Sequence, residues 1–420
     1  MRLPWLLLCP AAPRLPGDRP VPHGLIFGLD SGRVKPPLSR DPQTSSSRRN
    51  GVPKNPLHTK LCDQLGIEYP IIAFTHCKDV ASAVINAGGF AVLGQTQHPP
   101  ETIEQNIQWM REKVGGKAFG IDLVFPASVP DSGTIDQLRA QIPREQFDFV
   151  EDMKKRHDIP KWRNYPDDWN LGWLNKETPQ QQLEVVLENR VPVLASGLGN
   201  PDFVLERAHE KGILVWGLVG KPRQARAEIE AGVDAVIAQG YDAAGHTGKI
   251  GTFSIVPQVV EIAKSTGTPV IAGGGITTGR HLAGALSLGA AGVWTGTVWL
   301  ASRESDVNMI LKEKLLAAKA TDTEHSACVS GFTMRTLRSQ WHKEWASPQA
   351  PSPAPAPFQL LLFGDIKASA MDHELESFMT EAAGQGVDFV ETMKPARQIV
   401  MDMVDEAFEI FHELCGDEDP

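Results

Sequence analysis

Eight short apolar runs, most of them followed by a stretch of helix length, recur from Tyr69 to about Arg303, and they restrict the fold more than any other feature of this chain. The strand candidates are Pro70 to Phe74, Phe90 to Leu93, Phe119 to Phe125, Val191 to Ala195, Ile213 to Val219, Asp234 to Ala238, Pro269 to Ala272 and Gly292 to Thr295. Between them lie helix candidates such as Asp79 to Ala87, Glu101 to Lys113, Pro222 to Ala231, Val256 to Ser265 and Gly279 to Leu288. The runs are continuous in Val, Ile and Leu rather than alternating with polar residues, as expected of parallel strands covered by helices on the outside. Eight such units in succession predict an α/β fold of the closed (β/α)8 type, a TIM barrel, rather than an open doubly wound sheet.

One connection is too long for a simple crossover. Residues 126–178, after the third strand, hold Trp162, Trp169 and Trp173 among charged residues. Tryptophan is costly to leave in solvent and the segment departs from the functional rim, so it is predicted to be a lid or binding loop rather than a disordered excursion. Residues 1–55 are rich in Pro, Arg and Ser and show no period, which predicts a disordered N-terminal extension. A targeting arm and an over-extended gene start both fit it. The barrel domain is then 56–310, insertion included, and 311–420 form a C-terminal helical extension. Helices are expected there over Ile310 to Lys319, His373 to Ala383 and Ala396 to Leu414, with the Pro-rich stretch 347–357 as an extended linker. The acidic tail Gly416 to Pro420 reads as a solvated end.

A hydrophobic share of 41% can furnish a sizeable core, while a net charge of -10 without a basic stripe argues against a nucleic-acid partner. Cys9, Cys62, Cys77, Cys328 and Cys415 are scattered, with no CxxC pair and no metal-ligand spacing. They suit reduced thiols in a cytoplasm, and no metal site is expected. Met1 to Pro10 looks like the start of a signal peptide, but its apolar part is short and broken by prolines, so a cytoplasmic location is expected instead. No run is long and apolar enough to span a bilayer. A homo-oligomer is compatible with the sequence.

In a barrel of this type the carboxyl ends of the strands carry the chemistry, and the loops after strands seven and eight commonly hold phosphate. Gly273, Gly274 and Gly275 follow strand seven; Gly296 and Thr297 follow strand eight. Glycine lets backbone N–H groups approach an anion, a helix start adds partial positive charge, and Thr297 can donate a hydroxyl. One such loop would be read as a tight turn. Two in adjacent positions predict an anion site. With no GxxxxGK[ST] and no GxGxxG after a strand, that anion belongs to a phosphate-bearing organic cofactor or a sugar-phosphate substrate. The loop after strand six, Ala238 to Gly248, brings His246 to the same rim.

The string Ala238-Gln-Gly-Tyr-Asp-Ala-Ala-Gly-His-Thr-Gly248, with Pro269-Val-Ile-Ala-Gly-Gly-Gly-Ile276 and Gly292-Val-Trp-Thr-Gly-Thr297, resembles the nitronate monooxygenase family, formerly called 2-nitropropane dioxygenases. The similarity runs from Tyr69 to about Arg303, takes in Phe119 to Phe125, and reappears at Lys394-Pro-Ala-Arg397. FMN-dependent enoyl-acyl-carrier-protein reductases share the fold and most of these motifs.

The resemblance implies an FMN-binding barrel that oxidises alkyl nitronates with O2 to carbonyl compounds and nitrite. It places Gln239 at the isoalloxazine edge with Gly240, Ala244 and Gly245 along the cofactor. Gly273, Gly274, Gly275, Gly296 and Thr297 fall at the FMN phosphate. Asp122, where the family often has Asn, lies near the cofactor, and the backbone of Ala73, Phe74 and Thr75 lines the flavin ring. His246 becomes the catalytic residue, an imidazole able to accept a proton from a carbon acid or hydrogen-bond a nitronate oxygen.

The chain departs from the family in two further places. Asp242-Ala243-Ala244-Gly245-His246 replaces Glu-Ala-Gly-Gly-His, so the acid is shorter and one glycine gains a methyl group. Ala73-Phe74-Thr75-His76-Cys77 replaces Ala-Pro-Met, which puts a second imidazole at the rim. His76 either serves the substrate or packs under the lid, and Cys77 is expected to be buried and inert.

Trp294, Trp299, Arg280 and His281 are read as packing or surface residues. Two rivals stand beside nitronate oxidation: NAD(P)H-dependent reduction of an enoyl thioester on the same flavin, and a non-catalytic barrel that binds a phosphorylated ligand. His246→Asn is expected to retain FMN while losing turnover by roughly 100-fold. Gly274→Val is expected to lose FMN affinity.

Overall fold

The computed structural model describes residues 55–125, 135–163, 177–197 and 199–415. Its strands, in chain order, are β1 (Ile71–Thr75), β2 (Phe90–Gly94), β3 (Gly120–Val124), β4 (Val193–Gly197), β5 (Leu214–Val219), β6 (Ala235–Gln239), β7 (Gly245–His246), β8 (Val270–Gly273) and β9 (Gly292–Thr295). All but β7 pair in parallel in the order β1-β2-β3-β4-β5-β6-β8-β9, and β9 closes on β1 through Ile72↔Trp294. The chain is a (β/α)8 barrel, with each strand within two residues of its expected place.

Side-chain parity along the strands builds two cores. Ile72, Phe90, Val92, Val193, Ala195, Trp216, Ala235, Ile237, Ile271 and Trp294 point inward and fill the barrel, while Leu61 and Leu65 of the helix Lys60–Leu65 join that interior. Their neighbours, among them Ile71, Ala73, Leu93, Ile121, Leu194, Val236, Ala272 and Val293, face outward into the helical layer. Each fully buried Val, Leu or Ile among them contributes about 1.5–3 kcal/mol, which fixes the register, since a one-residue slip would exchange the two faces. The inward positions at the carboxyl ends are where the filling turns polar, at Asp122 on β3 and Gln239 on β6.

The helix after β9, Thr297–Leu300, is a single turn. The eighth outer position, between Gly279–Ser287 and Lys78–Asn86, is taken by Ala396–Cys415 from the far end of the chain. A Cβ on Gly279 would stand 2.5 Å from the Met403 carbonyl and 2.6 Å from the Ala407 nitrogen, so the helix start at Gly279 meets the Ala396–Cys415 backbone. Residues assigned by sequence to an extension therefore include a helix of the barrel wall, and the described residues form one compact unit.

Between Leu300 and Ala396 the chain forms a cap at the carboxyl end of the barrel. It comprises the helices Met309–Ala317, Gln340–Trp345 and Phe358–Asp372 with strands β10 (Thr323–Ser326) and β11 (Met334–Leu337). β11 pairs antiparallel with β10 and also with β7, so the loop after β6 is the third strand of the cap sheet. The insertion contributes the helix Arg144–Arg156, whose Val150 and Met153 share a core with Trp341, Trp345, Phe363, Ile366 and Phe378. Arg139 clasps Asp365 through two hydrogen bonds of 2.8 and 2.7 Å, and Arg156 and His157 both reach Glu344. The insertion helix is thus a fixed wall of the cap. Trp162 is exposed; Trp169 and Trp173, like residues 1–54 and 416–420, lie outside the described residues.

The helix expected over His373 to Ala383 is absent, and its place in the fold is taken by Phe358–Asp372, immediately before it. That helix is apolar around most of its circumference because the cap encloses it, so it carries no one-sided stripe to read. Glu374, at φ 53, turns the chain out of it. Among the described residues no helix is long and apolar enough to cross a membrane.

Candidate active site

Backbone donors gather on one side of the mouth. Gly275, at φ 69, and Ile276 follow β8, while Gly296 and Thr297 follow β9. Among the described residues the N–H groups of these four meet no protein acceptor. Donors without partners beside two helix starts suit an anion. Thr297 Oγ1 accepts from the Gly384 N–H at 2.9 Å, which leaves its own hydrogen to donate. A Cβ on Gly296 would meet only the Phe74 carbonyl, at 3.9 Å, so space lies open there. The phosphate of FMN fits this donor set.

Other glycines of the predicted set serve the fold. Gly240 donates its N–H to the Gly273 carbonyl at 2.8 Å, and a Cβ there would lie 2.1 Å from Thr252 Oγ1. The Gly240 N–H is thus taken by the protein itself, and the glycine packs beneath the helix Thr252–Ala263. Gly274, at φ 114, is similar, with its Cβ position 2.5 Å from Thr252 Oγ1. Gly273 lies in β8 against Trp294. Ala73 is inside the sheet, paired with Ala91 and Thr295, and its side chain faces outward. Phe74 points inward and stacks on Trp294 at 5.2 Å, and Thr75 Oγ1 accepts the Cys77 N–H. Arg280 pairs with Glu406 and is a surface charge.

The loop from Gly240 to Gly248 is held at several points. Gln239 Nε2 donates to the His246 carbonyl at 2.8 Å. Asp242 Oδ2 accepts the Thr252 N–H at 2.7 Å at the start of a helix, a structural task for the acid of this motif. Gly245, at φ 68, supplies the left-handed turn that lets β7 enter the cap sheet opposite Arg335. Ala244 is half-buried beside Gly384, whose own Cβ would crowd the Ala244 nitrogen at 3.0 Å.

His246 Nε2 lies 2.9 Å from Ser330 Oγ, and burial pushes the imidazole down to about 4, so it is neutral at physiological pH. The Ser330 hydroxyl can turn its hydrogen to the Phe332 carbonyl, 3.1 Å away, or to Nε2. In the second arrangement Nδ1 carries the hydrogen and can donate to an oxygen.

Two more ionisable groups face the mouth. Asp122 points inward without a side-chain partner among the described residues, and burial pushes it up to about 7. His76 follows β1, with Nδ1 at 3.1 Å from the Gly94 carbonyl. Cys77, buried, donates Sγ–H to the Glu304 carbonyl, and burial raises its thiol, as expected of an inert cysteine. Trp294 and Trp299 are both core residues.

Sequence reasoning missed Ser330 and the segment Glu381 to Gly386. The Gln385 N–H donates to the Asp242 carbonyl at 2.9 Å, and a Cβ on Gly386 would stand 2.7 Å from the Gly275 carbonyl. Gly384-Gln385-Gly386 was the available signal, a third glycine turn obscured by the helix expected just before it.

Known proteins are similar to this chain in sequence and in fold. The sequence model described as nitronate monooxygenase matches residues 58–406. A Mycobacterium tuberculosis protein provisionally named a monooxygenase is 38% identical over 373 residues, covering 86% of this chain and 99% of its own. A Staphylococcus aureus protein provisionally named a nitronate monooxygenase is 26% identical, over 84% of this chain and 98% of its own. Among solved structures, a nitroalkane oxidase from Streptomyces ansochromogenes superposes with a TM-score of 0.70 at 26% identity, covering 84% of this chain and 99% of that one. FabK from Thermotoga maritima gives a TM-score of 0.64 at 28% identity, covering 86% and 99%. The family match spans the whole cap and the barrel up to the middle of its last helix, Ala396–Cys415, and the chain belongs to the nitronate monooxygenase family.

Proposed function

We propose that the protein is an FMN-dependent nitronate monooxygenase that converts alkyl nitronates and O2 to carbonyl compounds and nitrite. The observation that carries this reading is the pairing, at one barrel mouth, of four N–H groups that meet no acceptor among the described residues with a neutral imidazole on the adjoining loop. Gly275, Ile276, Gly296 and Thr297 would hold the phosphate, and Phe74, Asp122 and Gln239, at the top of the barrel interior, would face the ring. When bound, the flavin supplies the electron-accepting and oxygen chemistry. The chain's own residues bind and orient the nitronate, with His246 Nδ1–H donating to an oxygen of the nitro group. A neutral donor suits an anionic substrate because it needs no charge of its own in a desolvated site. The cap wall excludes bulk water.

The test is the visible spectrum of the purified protein before and after anaerobic addition of a nitronate and, separately, of NADPH. A flavin spectrum bleached by nitronate and little changed by NADPH is expected. Rapid bleaching by NADPH with none by nitronate would transfer the chain to enoyl-thioester reduction. A folded protein that takes up no FMN would leave only the ligand-binding barrel.

A further inference from the structure

We propose that Phe332 sets the chain-length preference of this site by giving the alkyl group of the substrate an apolar wall beside His246. The proposal rests on the nitronate-oxidising reading and narrows it to primary alkyl nitronates with a chain longer than that of ethyl nitronate.

Phe332 is a large aromatic side chain left 47% exposed in a loop that has little freedom. The loop joins β10 to β11. Gly331, just before Phe332, has φ 82, and a Cβ there would stand 2.7 Å from the Ala354 carbonyl, so the loop lies directly against the Pro-rich stretch. Gln359, fully buried, ties the two segments together: it accepts the Ala354 N–H at 2.8 Å and donates to the Cys328 carbonyl at 2.6 Å. Trp341 Nε1 donates to the same carbonyl at 2.8 Å. The Phe332 N–H itself donates to Ser330 Oγ at 3.3 Å. The main chain of Phe332 is therefore fixed, while the protein leaves about half of the residue uncovered.

The exposed ring stands beside the imidazole of the site. The ring centroids of Phe332 and His246 are 6.1 Å apart with planes at 79°, an edge-to-face arrangement. Met334, two residues on, pairs with His246 across the cap sheet. Residues directly opposite in an antiparallel pair project to the same face, so the thioether accompanies the imidazole there and packs on the cap core. Among the described residues the hydrogen-bond partner of the imidazole is Ser330, at Nε2. His246 thus has one hydroxyl and two apolar side chains as neighbours.

An alkyl nitronate has two parts with opposite requirements. Its oxygens carry the charge and need donors, of which His246 Nδ1–H is one. Its carbon chain gains by leaving water. With the nitro group held at His246, a lengthening chain comes onto the open face of Phe332, and a fixed ring offers that face with little ordering to be done on binding. Each methylene moved from water onto such a wall tightens binding by roughly fourfold. The chain takes no part in the chemistry, so the gain is equal in the bound substrate and in the transition state. It falls on KM rather than on kcat.

The experiment measures kcat and KM for ethyl and butyl nitronate in FMN-loaded wild type, Phe332→Ala and Phe332→Leu. Phe332 meets Ser330 through its main chain, so these substitutions alter the wall and leave that contact in place. Wild type should favour butyl over ethyl nitronate by about tenfold in kcat/KM, expressed in KM. Phe332→Ala should lose most of this preference, and Phe332→Leu, which restores an apolar surface, should keep most of it. Equal kcat/KM for the two nitronates in wild type, or a preference that survives whole in Phe332→Ala, would overturn the assignment and leave the nitronate reading standing. A wild type reduced by neither nitronate defeats that reading first, before any variant is compared, and this assignment with it.

Discussion

Gln239 Nε2 and the carbonyl of His246 are 2.8 Å apart, joined across the loop that both residues bound. The barrel thereby sets the position of the imidazole, since Gln239 is the last residue of β6 and cannot shift without its strand. Gln239→Leu keeps the size of the side chain and removes the donor. Loss of such a bond costs about 1 kcal/mol when its partner can find water and more when it cannot. Nitronate turnover should fall by about tenfold with little loss of FMN; equal turnover would show that the loop is held by the cap sheet alone.

Gly296 and Gly274 separate cofactor binding from folding. A side chain at Gly296 finds open space in the protein alone, so Gly296→Val should fold with an unchanged melting point but bind FMN at least about tenfold more weakly, by obstructing the approach of the phosphate to its donors. Gly274→Val would strain a φ of 114 and drive into Thr252, so its loss of FMN should come with a lower melting temperature. Flavin fluorescence and thermal melts distinguish the two. Undiminished affinity in Gly296→Val would remove that turn from the phosphate site.

Glu228 gives the fold a pH dependence unconnected with the site. Its Oε2 is buried without a hydrogen-bond partner, in the space above Gly217 where a Cβ would have to stand, and burial pushes the carboxyl up from 4.5 to about 8. The folded state binds this proton more tightly than the unfolded state. The resulting stability is therefore complete below about pH 4.5 and is lost as pH rises to about 8, amounting to about 3 kcal/mol by pH 7. Glu228→Gln should melt at a higher temperature than wild type at pH 8 and close to it at pH 4. Parallel melting curves for the two proteins across that range would contradict the assignment.

The Gly279 contact closes the helical layer. Gly279→Val would force the side chain into the Met403 carbonyl and the Ala407 nitrogen, overpacking that costs about 1–3 kcal/mol or more. Amide exchange should accelerate in Ala396–Cys415 more than in the barrel strands. Protection unchanged in that helix would mean that it can dock without close approach.

By itself the sequence determined the barrel strands, the positions of the glycine turns and the loop bearing His246. These depend on neighbouring residues: an apolar run buried on both faces is continuous in Val, Ile and Leu, and a turn beyond it needs glycine where φ is positive, as at Gly275 and Gly245. Tertiary structure alone decided which helix completes the wall, because Gly279 and Met403 are far apart in the chain and meet only when the barrel closes. It also showed that Gly240 and Gly274 are glycines that pack, since Thr252 stands where a side chain on either would have to go. The enclosed helix Phe358–Asp372 had no polar face to mark it, and Ser330 gains its meaning only from the imidazole it approaches. Local propensity and burial pattern can be read along one strand of chain, whereas proton affinity and anion binding are set by groups that the fold assembles from separate segments.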